Sequence, residues 1–314
     1  MIGSLFISLF YIGKNNIPDD RIIRFTIIFV GTILSALIFS FLIPNCWYAN
    51  CLSIMNMSCG LAGVYIMTAY EPGELLFQKE AVFLLIFIGQ FFDLFDGRAA
   101  EQWGSTPKGE YFDDVADGTS FGFTIGVLIF VATNNRIMGL IGGTMHGVCT
   151  FYRLIRFIVE KHRAGQTGGA LRFDGMPSPA AAIVMGSGSI ILSRFGFVGD
   201  ILIIALATLS SYLQVSWVVY PHLSRAFFAW VPRRMLMAWF VGGTIGGLFF
   251  TALRMVWVPV LFIHCISVAY MLTPYLSKVM WLRHPVIIRL LEIFWLRSKD
   301  GSRYLNKLEK ESKE

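Results

Sequence analysis

What this chain can fold into is set by its apolar runs. Segments of about 20 residues, the length a helix needs to cross a bilayer, recur along it. They fall at Phe25–Ile43, Asn50–Tyr70, Ala81–Ala100, Tyr111–Thr133, Ile137–Val159, Ser178–Ser193, Ile201–Val219, Leu236–Leu253 and Val256–Leu276. Their hydrophobicity is continuous and does not alternate as the strands of a membrane barrel would. Lipid offers no partners for backbone polar groups, so only helices and closed barrels span it. Helices therefore remain. The composition agrees: 55% of residues are hydrophobic and 15% charged, against about 25% charged in a soluble domain. The expected fold is all-α, a polytopic integral membrane helical bundle.

Basic residues orient the spans. Lys108, Lys161, Arg163, Arg172, Arg225, Arg233 and Arg234 fall in alternate loops, and the tail after Ser277 is rich in Lys and Arg. The positive-inside rule makes that side cytoplasmic. The opposite loops, Glu71–Lys79, Asn134–Arg136, Arg194–Asp200 and Arg254–Met255, are short and carry few basic residues. Phe25–Ile43 fits less neatly, because as a span it leaves Lys14, Arg21 and Arg24 outside. It is either an extra span or a tilted surface helix, and its apolar length favours the span. The net charge of +6 is modest, and no nucleic-acid partner is expected. In the tail, Trp281, Ile287, Ile288, Phe294 and Trp295 interleave with basic residues. That pattern suits an amphipathic helix on anionic membrane lipids; a solvated basic tail over Lys299–Glu314 is the alternative. Cys46, Cys51, Cys59, Cys149 and Cys265 lack metal-site spacing and read as reduced packing residues. Met1–Gly13 is apolar but has no basic leader, so a cleaved signal is not expected.

Against this apolar background one polar stretch stands out: DLFDGRAAEQWGSTPKGEYFDDVADGTSFG, Asp93–Gly122. Asp93 and Asp96 are three apart, and Asp113 and Asp117 are four apart. On helices each pair lies on one face, one turn apart. Ionisable groups next to lipid are costly and mark function. Four facing carboxylates repel unless cations sit between them. Oxygen-only ligands suit Mg²⁺ or Mn²⁺, with Ca²⁺ a further option, and not zinc. Two carboxylate-bridged ions are a standard device for phosphoryl-type transfer.

The same residues resemble the signature of the CDP-alcohol phosphatidyltransferase family. That signature is Asp, two residues, Asp-Gly, two residues, Ala-Arg, eight residues, Gly, three residues, Asp, three residues, Asp. Asp93, Asp96, Gly97, Ala100, Gly109, Asp113 and Asp117 match it. There are two departures. Glu101 stands at the arginine position, with Arg98 about one helical turn earlier on the same face. The gap to Gly109 is seven residues instead of eight. Further stretches resemble the phosphatidylserine synthase branch: ANCLSIMNMSCG (Ala49–Gly60) with Asn50 and Asn56, ADGTSFG (Ala116–Gly122), RLIRF (Arg153–Phe157) and FDGMPSPAAA (Phe173–Ala182).

The resemblance covers roughly Ala49–Tyr220, and together with the apolar runs and basic residues on either side it gives a layout. An apolar segment occupies 1–48, a six-span catalytic core 49–220, two carboxyl-terminal spans 221–277 and a basic cytoplasmic tail 278–314. It implies transfer of the phosphatidyl group of CDP-diacylglycerol to L-serine, releasing CMP. Asp93, Asp96, Asp113 and Asp117 would hold two metal ions, with Asp117 also the general base. Asn56, Gly97, Arg98 and Ala100 would contact CDP-diacylglycerol, and Arg153, Arg156 and Ser178 the serine or phosphate groups. A homodimer in a bacterial-type inner membrane, with its site facing the cytoplasm, is implied as well.

Blander readings stand beside these. The two arginines also suit positive-inside anchoring, Asn56 a helix–helix hydrogen bond, and Ser178 between two prolines a helix start. His146 and His264 suit interhelical hydrogen bonds. Gly118, Gly122 and Gly126 form a close-packing stripe. Inositol phosphate, glycerol phosphate or choline is the rival acceptor, and a cation transporter the rival class.

Overall fold

The computed structural model describes residues 30–31, 34–35, 38, 44–70, 78–164, 172–221 and 255–276. The proposed spans Phe25–Ile43, in most of its length, and Leu236–Leu253, and the tail after 277, lie outside the described residues. The rest is almost wholly helical. After a short 3-10 turn, Asn45–Trp47, come α1 (Tyr48–Ala69), α2 (Gln78–Trp103) and α3 (Gly109–Asp117). α3 runs through a π-helical segment, Gly118–Thr124, into α4 (Ile125–Ala132). α5 (Arg136–Ala164), α6 (Ser178–Leu192), α7 (Gly196–Val215) and α8 (Trp257–Leu276) complete the bundle. A two-stranded antiparallel ribbon not expected from the apolar pattern is also present: β1 (Arg172–Asp174) pairs with β2 (Val219–Pro221), Phe173 opposite Tyr220.

Asn45–Ala69, Gly109–Ala132, Ser178–Val215 and Trp257–Tyr275 are long and apolar enough to cross a membrane. α2 and α5 are single helices of 26 and 29 residues, or about 39 and 44 Å at 1.5 Å per residue. Large apolar side chains face outward, among them Ile137 (70% exposed), Leu140, Val148 and Phe262. A soluble bundle would bury these, whereas in lipid they are in their proper solvent. The chain is an integral membrane protein.

Contacts fix the directions of the helices. Ser53 meets Asp96, Asn56 lies against Gly89, and Gly63 lies against Val82, so α1 and α2 are antiparallel. Gly60 packs on Ser120 and Thr124, and Asn56 on Asp117, so α1 and the 109–132 helix are parallel. α6 and α7 form a hairpin, because Leu192 meets Gly199, Gly188 meets Leu206 and Leu213 meets Met176. The hairpin turns at Gly196, whose φ of +58° breaks the helix after Ser193–Phe195. α8 runs antiparallel to α6, joined by the Ser187–His264 hydrogen bond of 2.9 Å. One end of the bundle therefore gathers the start of α1, the end of α2, the starts of α3 and α6, and the ends of α5 and α7.

The glycine stripe does what its spacing suggests. Gly118 and Gly122 lie under Phe151 and Thr150 of α5, and Gly126 crosses Gly143. A Cβ on Gly126 would stand 2.8 Å from the Gly143 carbonyl oxygen, closer than any side chain tolerates. The π segment adds a residue to the turn. The stripe thus faces α5 while Ser120 and Thr124 face α1, with Ser120 Oγ donating to the Asn56 carbonyl at 2.9 Å. The core on this side is Cys59, Ile86, Phe121, Ile125, Leu128 and Met185. Gly143→Leu should push α4 from α5 and destabilise the bundle by about 1–3 kcal/mol, read as a lower unfolding temperature in detergent.

Candidate active site

The acids meet where α2 ends and α3 begins. Oxygen atoms of Asp93, Asp96 and Asp113 all lie within 4.8 Å of one another. Asp117, one turn beyond Asp113, faces Asp93 within hydrogen-bonding reach. The four carboxylates that the spacing paired two by two thus form one cluster spanning two helices. Asp96 is the most enclosed, 4% exposed.

α1 is the third wall. Ser53 Oγ donates to Asp96 Oδ2 at 2.8 Å. Asn56 Nδ2 donates to Asp117 Oδ1 at 3.1 Å, and Asn56 is fully buried. Asn50 Nδ2 donates to Thr106 Oγ1 at 3.1 Å, holding the 104–108 connection between the two acidic helices. Asn50, Ser53 and Asn56 sit three residues apart and so share one face of α1. The asparagines were singled out from sequence; Ser53 was not, although its place in that polar stripe was the available signal. For Asn56, the helix–helix hydrogen bond is the contact the structure provides.

Gly97, Arg98 and Glu101 are exposed on the last turns of α2, and Ala100 is half-buried. A Cβ on Gly97 would meet nothing within 4 Å, so packing does not require glycine there.

Arg153 and Arg156, one turn apart on α5, part company. Arg153 turns inward, 6% exposed, and its Nη1 donates to Ser178 Oγ at 2.6 Å, with its guanidinium 5.4 Å from the Phe173 ring. It lies near enough to Asp117 to feel its charge. Arg156 instead serves the backbone. It donates to the carbonyls of Val215 and Asp174 at 2.5 Å each and of Ser216 at 3.3 Å, and stacks 4.7 Å from the Trp217 ring. It thereby ties β1 to the end of α7, whose last carbonyls need such donors. Ser178 is the first residue of α6, after Pro177, and is fully buried under Arg153. His146 and His264 make interhelical hydrogen bonds, His146 Nε2 to the Phe121 carbonyl oxygen at 2.9 Å and His264 to Ser187.

The donor set suits hard divalent cations. It is all oxygen, it lies within coordinating reach, and its charges repel one another unless countered.

The family model described as CDP-alcohol phosphatidyltransferase matches residues 46–220. The chain belongs to the CDP-alcohol phosphatidyltransferase family. It is similar to the CDP-diacylglycerol–serine O-phosphatidyltransferase of Bacillus subtilis (strain 168), 28% identical over 184 residues, 57% of this chain and 92% of that one. It is also similar to the archaetidylserine synthase of Methanothermobacter thermautotrophicus, 28% identical over 175 residues, 54% of this chain and 68% of that one. The chain is thus a membrane phosphatidyltransferase. The matched segment begins just before α1 and ends in β2, so it contains all four clustered aspartates, both arginines and Ser178. α8, which packs on α6, lies beyond it.

Ser53→Ala removes the hydrogen bond that orients Asp96. Loss of such an outer partner costs about 10–100-fold in metal affinity. Titration of the purified protein with Mn²⁺ should show this weakening, with the unfolding temperature little changed.

Proposed function

We propose that this phosphatidyltransferase transfers the phosphatidyl group of CDP-diacylglycerol to the hydroxyl of L-serine, giving phosphatidylserine and CMP. The observation that carries the reading is the carboxylate cluster at one end of the bundle, with a buried arginine beside it. The likeness to two enzymes whose names specify serine lipids supports the choice of acceptor.

In this reading Asp93, Asp96, Asp113 and Asp117 hold two ions, Mg²⁺ or Mn²⁺. When bound, these supply positive charge for the diphosphate and for the charge that develops on the leaving CMP. The chain's own residues do the rest. The cytidine diphosphate lies along Gly97 and Ala100, where the backbone is open, with Arg98 near its phosphates. The serine hydroxyl oxygen attacks the lipid-side phosphorus. A new P–O bond forms, the bond to CMP breaks, and CMP leaves with that electron pair. Asp117 accepts the hydroxyl proton, steered by the 3.1 Å hydrogen bond from Asn56. Arg153 takes the serine carboxylate as a charge-assisted partner and is held by Ser178. Arg156, whose donors serve backbone carbonyls, supports the pocket from behind.

The catalytic core is residues 49–220. The site faces the cytoplasm of a bacterial-type inner membrane, as the basic loops indicate, and the working unit is a homodimer. The shared chemistry leaves other alcohols as the competing reading.

Purified protein in detergent with CDP-diacylglycerol, Mn²⁺ and L-serine should release CMP and form phosphatidylserine. Product with glycerol phosphate or inositol phosphate and none with serine would overturn the acceptor assignment. Asp117→Asn should lower the rate by about 10²–10⁴-fold, the usual worth of a general base. Asn56→Leu should lower it by about tenfold, the worth of one buried hydrogen bond to a charged group. CMP release by paired single-turnover assays reads both.

A further inference from the structure

Deeper in the bundle from Arg153 lies a residue that the proposed reaction has not used. Gln214, in the last turn of α7, is fully buried. One end of its amide meets Thr150, whose Oγ1 lies 2.9 Å from Gln214 Oε1. The other end, Nε2, has no hydrogen-bond partner, and neither does Arg153 Nε. Each buried polar group left unpaired costs about 1–3 kcal/mol. The two groups lie about one turn of α5 apart, Gln214 at Thr150 and Arg153 three residues on, and as a pair they point to a ligand.

The four groups belong to one knot. Thr150 and Arg153 are three apart on α5 and share a face. Arg153 reaches Ser178 at the start of α6. Two residues earlier, the Met176 amide donates to the carbonyl of Leu213, next to Gln214. Gly175, at φ +85°, makes the turn that permits this, and a Cβ there would overlap the Gln214 carbonyl oxygen.

Counting hydrogens shows what the amide offers. The Thr150 hydroxyl also lies 2.9 Å from the His146 carbonyl oxygen one turn back. It has one hydrogen and can donate to only one of these two oxygens. Donation to the carbonyl four residues back is the common state of a threonine inside a helix. A half-turn of the Gln214 amide then lets its NH₂ donate to Thr150, and sets its carbonyl oxygen in the place left without a partner. The knot so arranged presents one acceptor, Gln214, beside one cationic donor, Arg153. An α-amino acid carries the complementary pair, an ammonium and a carboxylate, on a single carbon.

We propose that Gln214 is a specificity-determining residue: its buried amide oxygen receives the α-ammonium group of the acceptor while Arg153 takes the carboxylate, and Thr150 positions the amide. This rests on the serine reading above. It explains how an acceptor with both charges would be preferred over an alcohol bearing only one, because each missing partner leaves a buried group unpaired.

The test uses the full-length protein with CDP-diacylglycerol and compares L-serine with glycerate, which replaces the amine by a hydroxyl. Gln214→Met keeps the side-chain length and removes both polar atoms. It should raise KM for serine roughly tenfold or more, the worth of one buried hydrogen bond to a charge. KM for CDP-diacylglycerol should stay unchanged, and the preference for serine over glycerate should shrink by the same factor. Thr150→Val should shift that preference the same way by less. An unchanged serine KM and an unchanged preference in Gln214→Met would mean that the amide holds only water, and would overturn the proposal. If Gln214→Met does not fold, an unchanged preference in Thr150→Val overturns it instead. Wild-type protein that makes no phosphatidylserine sinks the serine reading itself, a result seen before any variant is assayed.

Discussion

Carboxylates crowded together at the edge of a membrane are the constraint around which this bundle is arranged. Three of them bring oxygen atoms within 4.8 Å of one another. At an effective dielectric near 20, two unit charges at that distance repel by about 3–4 kcal/mol. Two helices that carry such ends side by side would splay if nothing opposed the repulsion. What opposes it in the chain is α1, which donates hydrogen bonds to one acid on each helix, Asp96 through Ser53 and Asp117 through Asn56. Tight small-residue packing on the far side holds the 109–132 helix down on α5. The remaining repulsion is what cations would relieve.

The second half of the molecule adds direction. α5, the α6–α7 hairpin and the β1–β2 ribbon bring Arg153, Ser178 and Gln214 to the same end as the acids. A cluster of carboxylates alone would be indifferent to the acceptor. In the proposed reading the buried guanidinium near Asp117 would give an anionic group a fixed place, while the other arginine of the pair secures the backbone behind it. One sequence motif, two arginines a turn apart, thus separates into a buried arginine on the acidic side and one that braces the backbone.

Much of this was readable in advance. Uninterrupted apolar runs settle a helical membrane fold because lipid permits so few alternatives, and carboxylate spacings of three and four residues fix which faces carry charge. The glycine stripe found its partner for the same geometric reason. Other features were not legible. The π-helical turn after Asp117 depends on packing against two neighbours at once, and no local propensity encodes it. The ribbon between Arg172–Asp174 and Val219–Pro221 joins segments 45 residues apart, each too short to show a period. The divergence of Arg153 from Arg156 arises because carbonyls at the end of α7 lie within reach of only one of them. The polar stripe of α1 includes Ser53, but only the fold shows that it faces Asp96, and nothing in the α7 sequence singles out Gln214 from Ser210 and Ser211.

The proposed chemistry requires cations between the carboxylates of α2 and α3. Anomalous scattering from crystals of the protein grown with Mn²⁺ locates them directly. The prediction is a pair of manganese peaks within coordinating distance of Asp93, Asp96, Asp113 and Asp117, both lost in Asp96→Asn. A density map with no manganese among these side chains at saturating Mn²⁺, or the same peaks after that substitution, would contradict it.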